Sequence, residues 1–144
     1  MKRYKKTYLY IGDSVNFTFN DIPDDFIISF YSKCEKLNFP LIFSSGNLKI
    51  KDNVIKKDTE IISNMFLILK DSTGANSIIP KGKYVISYAN GDYGNTNYIY
   101  KNMFEFISKN KLKIIGNLYE EYLLDELAES NPNKFVMKIM IQVE

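Results

Sequence analysis

The sequence predicts an α+β fold, in which antiparallel-rich sheets carry one long helix on each half of the chain. Two segments repeat apolar residues at helical spacing, and short runs typical of strands lie before and after each of them. A polar, glycine-containing loop at residues 71–76 separates the two halves. Each half therefore runs strand, helix, strand, strand.

The first helix is predicted to start near Pro23 and to extend to Leu37. Its apolar residues recur at i, i+3, i+4 and i+7, and they are Phe26, Ile27, Phe30, Tyr31, Cys34 and Leu37. Pro23 suits the first position of a helix, where its missing N–H has no partner to lose. Acidic residues follow Pro23 and lysines occupy the closing turns, so charges at both ends complement the helix dipole.

The second helix is predicted over residues 96–109. Its buried stripe is expected to consist of Ile99, Met103, Phe106 and Ile107. Asn110 follows directly, and asparagine tolerates the left-handed conformation in which many helices end. We therefore expect Asn110 to be the left-handed residue at this end.

Strands are predicted around the two helices. They cover residues 7–11, 15–19, 41–44, 61–69, 83–89, 113–115, 118–124 and 135–143. The order of elements suggests a weak repeat of β-α-β-β units, over about residues 6–70 and 77–144 of a single domain that spans residues 1–144. Two such units would leave a groove along their symmetry line, and clefts of this kind are natural ligand sites.

The composition excludes several classes of active site. With no histidine and one cysteine in 144 residues, the chain has no Ser-His-Asp or Cys-His nucleophile and no zinc site of the usual type. We expect neither a metal nor a cofactor. The net charge of +2 is too small to favour nucleic-acid binding, and the basic cluster at residues 1–6 is expected to be a solvated terminus.

The composition also bounds the size of the core and the compartment. With 45% hydrophobic residues, the chain can bury one sizeable core. The single thiol of Cys34 fits a reducing compartment, and no apolar run approaches the roughly 20 residues that span a bilayer. We therefore expect a cytoplasmic protein with no membrane contact.

Residues 116–125 carry the most chemical information. In a strand, Glu120 and Glu121 point to opposite faces, so a central strand must desolvate one of the two carboxylates. Such a carboxylate needs a cation or hydrogen bonds, and without them its pKa rises. We expect one of the two glutamates to be buried without a protein cation and to receive a ligand cation instead. The alternative is an edge strand whose glutamates face solvent or pair with a lysine.

Aromatic side chains are needed for the other walls of such a site, because ring faces attract cations and supply apolar area. The chain has eleven tyrosines and ten phenylalanines, a number that an AT-rich genome would also explain. The candidates for the walls are Tyr31, Phe66, Tyr98, Tyr122 and Phe135.

Several motifs resemble a known family. They are Ile-Pro-Lys-Gly-Lys-Tyr at residues 79–84, the helix with Tyr98, the pair Tyr119-Glu120, and Phe-Val-Met-Lys-Ile-Met-Ile at residues 135–141. Together they resemble the effector-binding domain of gyrase-inhibitor-like proteins, above all the multidrug-binding domain of MerR-type activators of the BmrR kind. The two patterns align without a gap from residue 79 to residue 120, whereas residues 39–57 match poorly.

This resemblance implies a duplicated β-α-β-β fold that binds lipophilic cations above a buried glutamate. The glutamate falls on Glu120, and aromatic pocket positions fall on Tyr31, Tyr122 and Phe135. Phe135 lacks the hydroxyl of its counterpart.

Two further positions depart from the family pattern. Pocket tyrosines of the relatives fall on Thr96, two residues before Tyr98, and loosely on Ile62. The ligands bound by this chain are therefore expected to differ from those of the relatives.

The function implied by the resemblance is that of an effector domain of a transcription regulator, which binds a lipophilic, cationic small molecule and catalyses no reaction. DNA would be bound only through a helix-turn-helix domain that this chain does not contain. The isolated domain would be a monomer and the full-length regulator a dimer. Two alternatives stay open: a small hydrolase with Glu120 and Tyr122 as general acid and base, or a protein-interaction module like the gyrase inhibitors.

Overall fold

The patterned segments fold into strands and amphipathic helices in the computed structural model, which describes residues 2–18, 21–39, 44–90, 96–124 and 136–144. The strands are β1 (Lys2–Tyr4), β2 (Thr7–Ile11), β3 (Phe17–Thr18), β4 (Ser45–Lys49), β5 (Ile61–Ile62), β6 (Asn64–Ile68), β7 (Ser77–Ile79), β8 (Gly82–Asn90), β9 (Ile114–Leu124) and β10 (Val136–Val143). The helices are α1 (Asp24–Lys36), α2 (Lys51–Ile55) and α3 (Asn97–Lys109).

Eight of these strands form one antiparallel sheet, in the order β1-β8-β10-β9-β4-β6-β2-β7. Strands β3 and β5 form a separate pair. The two halves of the chain meet where β9 pairs with β4, each being the strand that follows its long helix. Corresponding strands lie in mirrored order on either side of this junction, which is the order that a duplicated unit would give. The α+β class is confirmed, but the two expected sheets are joined into one.

Helix α1 lies close to its predicted position. Its first turn is acidic and its last turn basic, as expected, but Pro23 is extended and caps the helix from outside. Phe30 and Cys34 are buried against Met65 and Leu67 of β6. The amphipathic pattern thus identified the face that packs on the sheet.

Helix α3 also lies close to its predicted position, but two details of the prediction are wrong. Phe106 is 42% exposed, and Tyr100 is buried in its place, because positions 100, 103 and 107 follow one another at steps of three and four residues. Asn110 has a φ of −93°, and Lys111 adopts the left-handed conformation with a φ of 55°. Asn110 instead donates hydrogen bonds to the Phe106 carbonyl from both its backbone and its side chain.

Several strand predictions need correction. Of the predicted strand at residues 41–44, residues 41–43 lie outside the described residues, and β4 begins at Ser45. The segment 61–69 divides into β5 and β6 at Ser63, whereas 113–115 and 118–124 belong to the single strand β9. At residues 15–19 the described strand is β3, and Phe19 lies outside the described residues. Strands β1 and β7 and helix α2 were not predicted.

Both faces of the sheet are buried. One face carries α1 over β2 and β6 and α3 over β8 and β10, and two apolar clusters lie under the two helices. A third cluster fills the opposite face and includes Leu9, Phe66, Tyr84, Tyr119 and Met140. Where β4 and β9 meet between the two helices, however, the residues of the helix-bearing face are polar. The fold therefore buries polar groups at its centre, and these form the site below.

Within the described residues, no helix combines the length and the apolar character needed to cross a membrane.

Candidate functional site

Strand β4 presents three polar side chains to the helix-bearing face, namely Ser45, Asn47 and Lys49, and all three are buried. In the β4–β9 ladder, Asn47 lies directly opposite Glu120, and Ser45 lies opposite Tyr122. Opposite residues of an antiparallel pair share one face, so these five side chains form one row of contacts. We call Ser45, Asn47, Lys49, Glu120 and Tyr122 the polar seam.

A buried ion pair forms one end of the polar seam. The Lys49 Nζ lies 3.0 Å from the Glu120 Oε2, and the two residues are only 4% and 3% exposed. They sit diagonally across the two strands, a spacing that long side chains can bridge. Two buried charges at this distance offset much of each other's desolvation cost. Our expectation that Glu120 would lack a protein cation is therefore wrong.

The Lys49 ammonium has two further acceptors. It donates hydrogen bonds to the backbone carbonyl of Thr59, which precedes β5, and to the Tyr100 hydroxyl of α3 at 3.1 Å. The Nζ also lies 4.8 Å from the centroid of the Tyr100 ring. An ammonium has three N–H donors, and these three acceptors account for all of them. Lys49 is thus fixed from β9, from α3 and from the loop before β5.

Burial raises the pKa of Glu120, because desolvation penalises the carboxylate. The charge of Lys49 and hydrogen bonds from Lys49 and Asn47 lower this pKa and counteract part of the effect. The net effect is that the pKa of Glu120 is raised. The ionisation of Glu120 therefore depends on the Lys49 ammonium beside it.

The other end of the polar seam is uncharged and more accessible. The Tyr31 hydroxyl of α1 lies 2.8 Å from the Ser45 Oγ, and the Asn47 amide donates a hydrogen bond to the Tyr122 hydroxyl. Both tyrosines are half-buried. Tyr122, two residues from Glu120 on the same face of β9, and Tyr31, which contacts Ser45 opposite Tyr122, thus place two aromatic rings with a polar tip at this end.

Gly46 allows β4 to approach β9 closely at the polar seam. A Cβ added at Gly46 would lie 1.9 Å from the Glu120 carbonyl oxygen and 2.8 Å from the Phe66 ring. Any side chain here would force the two strands apart. The absence of a side chain at Gly46 thus helps to hold Asn47 and Lys49 within reach of Glu120.

A surface cavity of about 680 Å³ adjoins the charged end of the polar seam. Its wall includes Thr59 and Tyr100, which are both acceptors of the Lys49 ammonium. The remaining lining residues are Lys57, Asn97, Lys101, Phe104, Glu105, Ser108 and Lys109. The buried ammonium is therefore bonded to two residues that also line this cavity.

The structure brings together Glu120, Tyr31 and Tyr122 of the predicted site residues. Phe66 is fully buried on the opposite face of the sheet, where its ring contacts Tyr119, so it is a core residue and lies away from the polar seam. Tyr98 is 59% exposed in the first turn of α3.

Two other positions singled out in the sequence are Phe135 and Glu121. Phe135 lies outside the described residues. Glu121 lies on the opposite face from Glu120 and directly opposite Lys138 in the β9–β10 ladder.

Sequence reasoning missed Ser45, Asn47, Lys49 and Tyr100. The segment Ser-Gly-Asn-Leu-Lys does carry a signal, because polar residues alternate along it. The same alternation is typical of a solvent-facing edge strand, and only the pairing of β4 with β6 and β9 shows that it is central.

The family of the chain follows from the comparison with known sequences. Residues 56–144 match the family described as the GyrI-like small molecule binding domain. The chain belongs to this family. It is also 35% identical, over 103 residues, to the multidrug-efflux transporter 2 regulator of Bacillus subtilis (strain 168). That match covers 69% of this chain and 36% of the regulator, so the chain spans about a third of that relative.

Solved structures show the same fold at low sequence identity. EcmrR in its complex with DNA matches 99% of this chain and 56% of its own, with a TM-score of 0.76 and 12% identity. The C-terminal domain of EcmrR matches with a TM-score of 0.66 and 11% identity, over 99% of this chain and 94% of that domain. An uncharacterised conserved protein of Listeria innocua gives a TM-score of 0.57 at 14% identity, over 99% and 91% of the two chains.

These matches confirm the resemblance found in the sequence. The chain is a small-molecule-binding domain related to the effector domains of MerR-family regulators. They also confirm the mixed α+β architecture.

Proposed function

We propose that this chain is the effector-binding domain of a transcription regulator, and that its ligand is a lipophilic cation bound against the polar seam. The observation that carries this proposal is that two half-buried tyrosines, Tyr31 and Tyr122, meet the same row of polar side chains that holds the buried carboxylate of Glu120. A match to a bacterial efflux-transporter regulator supports the regulatory role.

The two ends of the polar seam supply different parts of the binding energy. Tyrosine rings offer apolar area and the negative face of an aromatic ring to a ligand cation. The Glu120 carboxylate supplies a full charge in a desolvated setting, where an opposite charge is attracted more strongly than in water. A ligand that is both aromatic and cationic would use both ends.

DNA binding is proposed to reside in a part of the regulator outside this chain. The chain corresponds to 36% of the matched regulator and 56% of the EcmrR chain. Its own charge balance of 19 basic and 17 acidic residues gives it little attraction to DNA. We propose that the isolated domain is a monomer, that the intact regulator is a dimer, and that it acts in the cytoplasm.

We propose no catalytic role for Glu120. The match to a transporter regulator supports binding without turnover, and the Glu120 Oε2, which a general base would use to accept a proton, already accepts a hydrogen bond from Lys49. Bound cations are therefore expected to be recovered chemically intact, as judged by mass spectrometry after long incubation. Turnover that disappears in Glu120→Gln would favour the hydrolase instead.

The direct test compares a cation with a neutral molecule of the same shape. The probes are 1-naphthylmethyl-trimethylammonium, called here the naphthyl cation, and the neutral isostere with carbon in place of nitrogen. Wild type should bind the cation more tightly than the isostere in a fluorescence titration. Charge contacts of this kind typically cost about 2–5 kcal/mol when truncated.

Variants locate the effect at the polar seam. Glu120→Gln alone leaves Lys49 as a buried, unpaired charge, so the double variant Lys49→Met/Glu120→Gln is the cleaner test. This double variant should lose the preference for the cation, whereas Glu121→Gln, on the opposite face, should retain it. A double variant that kept the full preference would move the binding site away from Glu120.

A further inference from the structure

Lys49 occupies the position that a ligand cation needs. Its Nζ lies 3.0 Å from the Glu120 Oε2, which is the contact that an ammonium ligand would make. The pair is buried from solvent, so a second cation cannot approach the same oxygen while Lys49 remains there. A cationic ligand of Glu120 must therefore compete with a cation of the protein itself.

We propose that Lys49 is a built-in competitor that sets ligand specificity: it neutralises Glu120 in the empty domain and withdraws when a lipophilic cation binds. This inference rests on the proposed function, because it takes Glu120 as the ligand's counter-charge. Lys49 is then a specificity-determining residue of the site, although the ligand does not have to touch it.

The surroundings of Lys49 allow such a withdrawal. Thr59 and Tyr100, which supply the two acceptors other than Glu120, line the 680 Å³ surface cavity. The flexible four-carbon stem lets the ammonium leave Glu120 while it stays near these oxygens, and the cavity gives it access to water. Glu105 in the same wall offers a carboxylate to the displaced charge.

The competition explains why the ligand has to be lipophilic. A tethered group competes at an effective concentration in the millimolar range for short flexible links, and Lys49 is held on the strand next to Glu120. A small hydrated cation offers only the charge that Lys49 already supplies, so it gains nothing by replacing Lys49. A cation with an aromatic body also gains contact with Tyr31 and Tyr122, and this additional energy drives the exchange.

Withdrawal of Lys49 would also reach beyond the ligand. The ammonium joins β4 to α3 through Tyr100 and to the loop before β5 through Thr59. Exchange at Glu120 therefore takes place next to the contacts that hold Lys49 to α3 and to the loop before β5, on the far side of the site from α1.

Lys49→Met tests the proposal, because methionine keeps the length of the side chain and removes its charge. In this variant the naphthyl cation should bind at least tenfold more tightly than in wild type, and tetramethylammonium should gain measurable affinity. The neutral isostere should change less than twofold. Lys138→Met, which removes a lysine from the opposite face of the sheet, should leave all three affinities at the wild-type values.

Proton release gives a second signature in the same variant. Without Lys49, the buried Glu120 has lost its cation and takes up a proton more readily, so binding of the naphthyl cation should release protons. Titration calorimetry in two buffers with different ionisation enthalpies measures this release, which should be smaller in wild type. Equal or weaker binding of the cation in folded Lys49→Met, compared with wild type, overturns the proposal.

A measurement on wild type covers the case in which Lys49→Met does not fold. In nitrogen NMR, the signal of the Lys49 side-chain ammonium should change from that of a buried group to that of a solvent-exposed group when the naphthyl cation saturates the domain. An unchanged Lys49 signal at saturation contradicts the competition but leaves the proposed function standing. If the naphthyl cation binds neither wild type nor Lys49→Met, the proposed ligand class fails, and the competition fails with it.

Discussion

The two ends of the polar seam differ in charge and in their exposure to solvent. At the α1 end, Tyr31 and Ser45 meet through their hydroxyl groups, and both partners are uncharged. At the α3 end, the Lys49 ammonium joins Glu120 to Tyr100 in surroundings that exclude solvent. The uncharged end can lose a partner at small cost, whereas the charged end can release Lys49 only when another cation takes its place. Adaptable hydrogen bonding and recognition of charge are thus located at opposite ends of the polar seam.

The largest expected effect comes from breaking the charged end. Glu120→Gln leaves the Lys49 ammonium buried without its counter-charge, and removal of one partner of a buried pair typically costs about 3–5 kcal/mol. The double variant Lys49→Met/Glu120→Gln should recover most of this loss, because it leaves no unpaired charge. Urea denaturation with the free energy extrapolated to water measures both variants. A single variant as stable as wild type would show that the two charges are not coupled in solution.

Sequence reasoning identified only one of the two charged partners at this end. Burial of one glutamate of the Glu120-Glu121 pair could be predicted because any central strand must bury one of the two, and the family resemblance selected Glu120. The partner of Glu120 could not be identified, because Lys49 is 71 residues away along the chain and nothing in a lone lysine indicates burial. The pairing of β4 with β9, on which their contact depends, is a long-range feature that local patterns do not specify.

The fold shows the same division between local and long-range information. Helices α1 and α3 and strands β2, β8 and β10 were predicted within about two residues, because their apolar periodicity is local. Strand β4 was missed because its buried side chains are polar. The features that define the site are thus the ones that depart from the rules that predict the fold.

A change of pH is expected to have an intermediate effect on stability. The effect arises at the charged end, because only this end carries a carboxylate. The folded-state pKa of Glu120 is raised above its unfolded value of about 4.3, mainly by desolvation. The folded state therefore binds more protons between these two values, and the stability contribution of Glu120 falls as pH rises through this window. The free energy of unfolding of wild type, relative to that of Lys49→Met/Glu120→Gln, should therefore decrease as pH rises through this window.

Ligand binding should respond to pH in the opposite direction. The naphthyl cation needs an ionised Glu120, so its affinity should rise as pH increases through the raised pKa and then level off. The neutral isostere should show no such rise. The other titratable groups that face this part of the site are Lys49, Tyr31, Tyr100 and Tyr122, and none of them is a carboxylate. A rise centred below the ordinary glutamate pKa would contradict the assignment to Glu120.

The smallest effects are expected at the uncharged end, and they complete the comparison. Tyr31→Phe removes one hydrogen bond between two uncharged groups, Tyr31 and Ser45, so the loss of stability should be about 0.5–1.5 kcal/mol. Tyr122→Phe leaves the buried Asn47 amide without this acceptor and should cost more, about 1–3 kcal/mol. Both variants keep the aromatic ring, so affinity for the naphthyl cation should change only a few-fold. Replacement by leucine removes the ring and should weaken binding clearly more than replacement by phenylalanine. If phenylalanine and leucine variants bound the cation equally well, the rings would not be part of the ligand site, and the recognition assigned to this end would have to lie elsewhere.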